Sequence, residues 1–309
     1  MIVIRELKDF PELPQAVVTS GTFDGVHVGH QKILSRLTET ARQHNGQSVV
    51  LTYWPHPRTV LNPNDTSLRL LSTIEERIEA LENYGVDYLL ILPFTKEFAQ
   101  LSSEEYIQQI LLNTLHTKKL VIGYDHHFGR NREGNFDYLQ QNAARYGFVV
   151  EEIPRQDIEE VGVSSSKIRT ALEKGEVETA HKYLGRPYTI TGTVVKGKQL
   201  GRTIGYPTAN LEVKDALKLI PAQGVYAVLV NTPQGQYKGM LNIGVNPTVD
   251  DSGKQTIEVH IFDFNGDLYG QDITLLFIGY IRPELKFDGL EALTQQLHQD
   301  QESALHLLG

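Results

Sequence analysis

Along residues 1–185, short runs of consecutive apolar residues alternate with segments whose apolar positions recur every three or four residues. Ala16-Val17-Val18-Thr19 and residues 48–53, 86–92, 119–123 and 148–153 are runs of the first kind. Unbroken apolar character over so short a stretch predicts strands covered on both faces. Between them Ile33, Leu34, Leu37 and Ala41 share one helical face, as do Ile74, Ile78 and Leu81. Ser102 and Glu105 form a capping box ahead of Tyr106, Ile110 and Leu111. Strand and helix in alternation predict a doubly wound parallel sheet whose ligand site lies beyond the carboxyl ends of its strands.

After Gly185-Arg186-Pro187 the texture changes. Apolar and polar residues now alternate singly, at 188–195, 225–230, 237–243, 257–262 and 273–278, with turn residues such as Pro233-Gln234-Gly235 and Asp250-Asp251-Ser252-Gly253 between the runs. A period of two predicts antiparallel strands in a barrel or a sandwich. Leu290, Leu293, Leu297, Ala304 and Leu307 predict a closing helix packed outside it. Two domains are therefore expected, 1–185 and 186–309, and 309 residues suffice for a core in each.

Composition narrows the partners. A formal charge of -9 gives no general attraction to nucleic acid, so any polyanion bound is a small one held locally. The chain has no Cys, which excludes a disulfide framework and thiolate catalysis and fits a reducing compartment. Neither a secretory leader nor an apolar run long enough to span a bilayer is seen, so the expectation is a cytoplasmic protein acting on small molecules, without a membrane partner, as a monomer or weak homo-oligomer.

Candidate chemistry starts at Gly21-Thr22-Phe23-Asp24-Gly25-Val26-His27-Val28-Gly29-His30, between the first strand and the first helix. Free N–H groups and the positive end of the helix dipole attract phosphate at such a junction. His27 and His30 add donors that can follow charge developing on phosphorus, and the glycines allow close approach. A metal reading is weaker, because no Cys and no third ligand at helical spacing is present. Three further segments accompany it: Pro55-His56-Pro57 after the second strand, Gly123-Tyr124-Asp125-His126-His127-Phe128-Gly129 at the end of another, and Ser164-Ser165-Ser166-Lys167-Ile168-Arg169 opening a helix. Each alone reads equally as a stiff loop, a strand end or a plain N-cap; together they suggest a phosphate cradle.

The run GTFDGVHVGHQ resembles the His-x-Gly-His signature of nucleotidyltransferases and, at full length, the N-terminal module of bacterial bifunctional riboflavin kinase/FAD synthetases. The resemblance implies a Rossmann-like fold in which the phosphate of FMN attacks the α-phosphorus of ATP and pyrophosphate leaves. The attacking phosphate is already an anion, so His27 and His30 would stabilise charge rather than act as bases. By the same resemblance Gly21, Phe23, Asp24, Gly29, Asp125, Ser164, Ser165 and Ser166 contact ATP, Arg169 assists transfer, and Pro55, His56 and Pro57 line the flavin crevice. Ser166 stands where the family usually has Thr, and His126 where an aromatic residue is expected after Asp125.

In the second half, Gly197, Gly201 and Gly205 precede Pro207-Thr208-Ala209-Asn210. Three glycines spaced by four suit either a hairpin loop or a flap over phosphates. Thr208 and Asn210 lie two residues apart in an extended run, so they share a face and can ligate one hard cation. The run resembles the Pro-Thr-Ala-Asn signature of riboflavin kinases, and the resemblance covers nearly the whole barrel. It implies an antiparallel barrel, Mg2+ held by Thr208 and Asn210, ATP phosphates under the glycines, Glu258 as general base toward the ribityl hydroxyl of riboflavin, and Arg282 against the flavin. Without it, Glu258 alternating with His260 in 257–261 reads as an ordinary solvated strand residue. Two rivals remain: a nucleotidyltransferase of another acceptor with a merely binding barrel, and a nucleotide-binding regulator whose barrel takes RNA.

Overall fold

The computed structural model describes residues 1–154, 162–197, 200–245 and 255–309. The expected turn at Asp250-Asp251-Ser252-Gly253, Pro247 and Thr248 of the stretch that resembles riboflavin kinases, and Lys198 and Gln199 of the glycine-rich run lie outside the described residues. The chain divides into two compact units, Met1–Ser165 and Ser166–Gly309.

In the first unit six strands form one sheet: β1 (Ile2–Ile4), β2 (Ala16–Ser20), β3 (Gln47–Trp54), β4 (Tyr88–Pro93), β5 (Thr117–Gly123) and β6 (Val149–Ile153), in the order β1-β4-β3-β2-β5-β6. Every pairing is parallel. Successive residues of the inner strands feed opposite faces, which is why their sequence is apolar throughout. Val17, Val50, Leu89 and Val121 pack with Leu34, Leu37 and Ala41 of helix α1 (Val28–Gln43) and, past a short helix α2 (Pro57–Leu61), with Ile74 and Leu81 of α3 (Ile74–Glu82). Val18, Leu51, Leu90 and Leu120 pack on the other face, under α4 (Ser103–Tyr106), its continuation as a π-helical turn (Ile107–Leu112), and α5 (Phe136–Tyr146).

From β2 the chain steps to β3 and β4, then returns to lay β5 on the other side of β2. The loops leaving β2 and β5 therefore diverge and open a crevice at the carboxyl ends of those two strands, the usual ligand position in such sheets. Strand β1 was not foreseen. It has three residues, and Ile2 and Val3 are exposed, too short and one-sided a pattern to read.

The second unit contains a closed barrel rather than a sandwich. Its strands are β7 (Tyr188–Val195), β8 (Ala209–Glu212), β9 (Gly224–Thr232), β10 (Gly235–Val245), β11 (Gln255–Ile261) and β12 (Asp272–Arg282), ordered β10-β11-β8-β7-β12-β9 with β9 pairing back onto β10. Tyr188, Ile190 and Val194, Ile257 and Val259, and Ile273, Leu275 and Phe277 are the buried alternates. Two helices precede the barrel, α6 (Ser165–Glu173) and α7 (Val177–Leu184), and a four-residue helix α8 (Leu200–Thr203) sits in the glycine-rich run. The closing helix α9 (Leu290–Leu308) packs on β9, β10 and β12 through Leu297, Ala304 and Leu308, whereas Leu290 and Leu307 of its expected face are exposed.

The division after Ser165 precedes the change of texture at Gly185. Helix α7 packs on β12 and β7, the Leu172 carbonyl accepts a bond from Ala222 N at 2.9 Å, and Glu178 Oε1 accepts one from Tyr280 N at 3.2 Å. Composition marks where barrel strands begin; burial of Leu172, Val177, Ala180 and Leu184 assigns the preceding helices to the same unit.

Candidate active sites

Between β2 and α1 the backbone is forced into an uncommon shape. Phe23, Gly25 and Val26 have φ of 48°, 80° and 43°. A fully buried β-branched residue in the left-handed region costs on the order of 1–3 kcal/mol and persists only where its surroundings over-determine it. Asp24 supplies that constraint. Its carboxylate accepts bonds from Leu71 N (3.0 Å) and Ser72 N (3.1 Å) and lies 3.9 Å from the buried Arg77 guanidinium, while Gly25 N donates to Ser72 Oγ at 3.1 Å. At 1% exposure, Asp24 faces inward and braces the turn instead of facing the crevice, which differs from the expected nucleotide contact. Its carbonyl accepts from Ser165 Oγ at 3.1 Å, tying the serine run to the same turn.

The braced turn sets the histidines. His27 is the N-cap of α1 and its Nδ1 accepts from His30 N at 3.3 Å, so a neutral His27 carries its proton on Nε2. The two rings stack with centroids 3.7 Å apart and 11° between planes, and Phe23 lies 5.1 Å from His30. Burial, then the charges of His27 and Arg77, push the His30 pKa well below the usual imidazole value, so His30 is neutral at neutral pH. Gly29 is buried in the first turn of α1.

The crevice at the strand ends encloses about 710 Å³. Gly21, Phe23 and His30 line it from the β2 side, Asp125 and His126 from the β5 side, and Pro57 from the loop after β3. Asp125 stands exposed at the rim; Pro55 and His56 are outside the lining, with His56 capping α2 by accepting from Arg58 N at 3.2 Å. Aromatic residues not read as site residues from the sequence, Tyr53, Phe94, Phe98 and Tyr106, form one wall. Tyr106 had read as a helix core position, and spacing alone could not turn it toward a cavity. Behind the wall Tyr53 and Tyr106 share a hydroxyl bond at 3.0 Å, and Ser20 Oγ lies 3.3 Å from His126 Nε2. Burial, with the charges of His127 and Arg132, lowers the His126 pKa to about 4. Ser164 precedes α6 and Ser165 opens it; Ser166 and Arg169 belong to that helix within the second unit.

In the barrel, register alone assembles the site. Glu258 faces Asn210 of β8 on one side and Asn242 of β10 on the other, so three polar side chains form one row across three strands. His260 is two residues along β11 on the same outward face, opposite Met240. Thr208 Oγ1 donates to Glu258 Oε2 at 3.4 Å. A Cβ at Gly197 would lie 2.1 Å from Asn210 Nδ2, so the glycine-rich run meets the Thr208/Asn210 strand in direct contact. Gly201 and Gly205 continue that run, and Gly201 lines the cavity.

That cavity, about 360 Å³, has Thr208, Asn242, Glu258 and His260 at its polar side and Met240, Phe287, Leu290, Leu293 and Leu297 at its apolar side. Arg282 also lines it, with its fork closed on Asp300: Nε to Oδ1 at 2.7 Å and a terminal nitrogen to Oδ2 at 2.6 Å, Asp300 being 1% exposed. The guanidinium expected to contact the flavin is thus bonded to Asp300 of α9. Asn242, His260, Tyr206 and Glu284 were not singled out as site residues; strand register brings Asn242 beside Glu258, while His260 shares its face two residues along β11. Among the described residues no cluster of His, Cys, Asp and Glu is arranged to hold a metal.

Comparison with known proteins places both halves. The FAD synthetase family profile matches residues 9–167 and the riboflavin kinase profile residues 184–308. Bifunctional riboflavin kinase/FMN adenylyltransferases from Pseudomonas fluorescens and Escherichia coli K12 are 38% and 36% identical to the chain, over 97% and 100% of it and 96% and 98% of their own lengths. A crystal structure described as a macrolide-efflux protein from Streptococcus pneumoniae is 35% identical, covers 98% of both chains and superposes with a TM-score of 0.87. Among the described residues of the present chain no helix is long and apolar enough to cross a membrane.

Proposed function

Since the chain belongs to the bifunctional riboflavin kinase/FMN adenylyltransferase family, phosphorylating riboflavin to FMN and adenylylating FMN to FAD with ATP, we propose which of its residues perform each step. In the barrel, the Glu258 carboxylate takes the proton of the ribityl 5'-hydroxyl as that oxygen attacks the γ-phosphorus, and ADP leaves. The observation that carries this is the single face shared by Glu258, Thr208 and Asn210, beside a cavity whose other wall is apolar. Hydroxyl, amide and carboxylate oxygens on one face suit a hard dication, and Thr208 Oγ1 and Asn210 Oδ1 would hold Mg2+, which neutralises phosphate charge. Gly197, Gly201 and Gly205 bring backbone N–H groups to the phosphates. The isoalloxazine lies against Leu290, Leu293, Leu297 and Phe287, with Arg282 fixing that wall through Asp300.

In the first unit the FMN phosphate needs no base. His27 through Nε2–H and His30 as a neutral imidazole stabilise the charge developing at the α-phosphorus as pyrophosphate leaves, with Ser164 and Ser165 on the triphosphate and Gly21, Phe23, Gly29 and Asp125 about the nucleotide. Asp24 acts by bracing the turn. The aromatic wall and Pro57 receive the flavin, with Pro55 and His56 stiffening the loop. Residues 1–185 carry the adenylyltransferase and 186–309 the kinase; the protein works in the cytoplasm, as a monomer or weak homo-oligomer, without nucleic acid. The test is chromatography of flavins formed from riboflavin or from FMN with ATP and magnesium. Glu258→Gln must stop only FMN formation and His30→Ala only FAD formation; any other partition overturns the assignment.

A further inference from the structure

Beside Glu258 the backbone ladder runs out. The β8–β11 pairing holds Glu258 opposite Asn210 and Val259 opposite Ala209, and β8 begins at Ala209. Thr208 lies one residue beyond that end, and before it stands Pro207, which has no N–H for a further rung. A side chain takes over. The His260 ring reaches across from the Glu258 face of β11 and places Nδ1 2.7 Å from the Pro207 carbonyl oxygen. A carbonyl only accepts, so Nδ1 carries the proton. The residue before Pro207 is held as well: the Tyr206 ring lies 5.1 Å from that of His260 and its hydroxyl 2.6 Å from His298 Nδ1 on α9.

We propose that His260 is a positioning residue for riboflavin phosphorylation: its Nδ1–H pins Pro207 where the sheet has ended and so keeps Thr208 against Glu258. This rests on the reading of Glu258 as base and Thr208 as cation ligand. A freed 207–208 segment displaces the ligand and the base from each other, and a misplacement of about 1 Å costs on the order of 100-fold in rate. The apolar flavin wall is on other elements, so riboflavin binding is spared.

The test compares three variants of the full chain. His260→Ala lowers kcat for FMN formation by about 10- to 100-fold, with the KM for riboflavin changed less than about threefold. In His260→Asn the amide nitrogen stands where Nδ1 stood and restores most of the rate; in His260→Gln the amide reaches the Nε2 position and does not. FAD formation from supplied FMN and the thermal transition of the second unit stay native in all three. Unchanged kcat in His260→Ala, or equal rates in the Asn and Gln variants, overturns the proposal. Loss of the second unit's transition in all three also overturns it, because the ring would then support the fold. Glu258→Gln, measured alongside, judges the base separately: full activity there removes the base reading, while Asn against Gln at position 260 still decides positioning.

Discussion

His27 and His30 lie face to face, ring centroids 3.7 Å apart, with the first ring accepting a bond from the backbone of the second. Two imidazolium rings at that spacing would repel, so the pair favours a proton on at most one of them. Replacing either by Ala removes a preorganised donor and is expected to slow FAD formation from FMN by about 100-fold or more, with FMN formation unaffected. Steady-state assays of both products on each variant check this; equal loss of both activities would move the site elsewhere.

Glu258→Gln keeps shape but cannot take a proton, so FMN formation is expected to fall by roughly 100- to 10,000-fold with nucleotide KM nearly native. Thr208→Ala removes a cation ligand and raises the KM for magnesium-ATP as well as lowering turnover. Chelation of magnesium abolishes both products, and its re-addition restores them. Identical kinetic signatures for the two substitutions would contradict the separate roles.

His126 makes the first unit sensitive to acid. Its folded pKa of about 4 lies below the ordinary value of 6.5, so in that window the unfolded chain binds a proton that the folded chain refuses. Stability is complete above about pH 6.5, falls as pH drops toward 4, and levels off there as far as this group is concerned; the total is on the order of 3 kcal/mol. His126→Phe keeps the stack on Phe128 without the titration. Its first-unit melting temperature should decline less steeply between these limits than that of the native chain, and parallel declines would refute the assignment.

The helices before the barrel offer a test of the boundary. A fragment of residues 166–309 is expected to fold and phosphorylate riboflavin without making FAD. One beginning at residue 186 lacks Leu172, Val177, Ala180 and Leu184 and uncovers the surface of β7 and β12 beneath α7; it should melt lower or aggregate. Equal stability of the two fragments, by calorimetry, would show that the kinase folds without α6 and α7.

What the sequence by itself determined was period and chemistry. Unbroken apolar runs such as Val49-Val50-Leu51 forecast strands buried on both faces, and single alternation at 257–261 forecast a one-sided barrel strand, because side-chain direction follows local backbone geometry. The motifs around His27, His30, Thr208 and Asn210 were legible for the same reason: each is a local run whose residue types fit phosphate or a hard cation, whereas Glu258 took its role only from the resemblance to riboflavin kinases. Tertiary structure alone decided what depends on long-range pairing. It turned Asp24 inward onto Leu71 and Ser72, closed the Arg282 fork on Asp300, brought Asn242 beside Glu258 and set the His260 ring on the Pro207 carbonyl. Those partners are far apart in the chain, and no local period encodes which distant backbone or charge will meet a given side chain; that follows from sheet order and register, which are fixed only when the whole core packs.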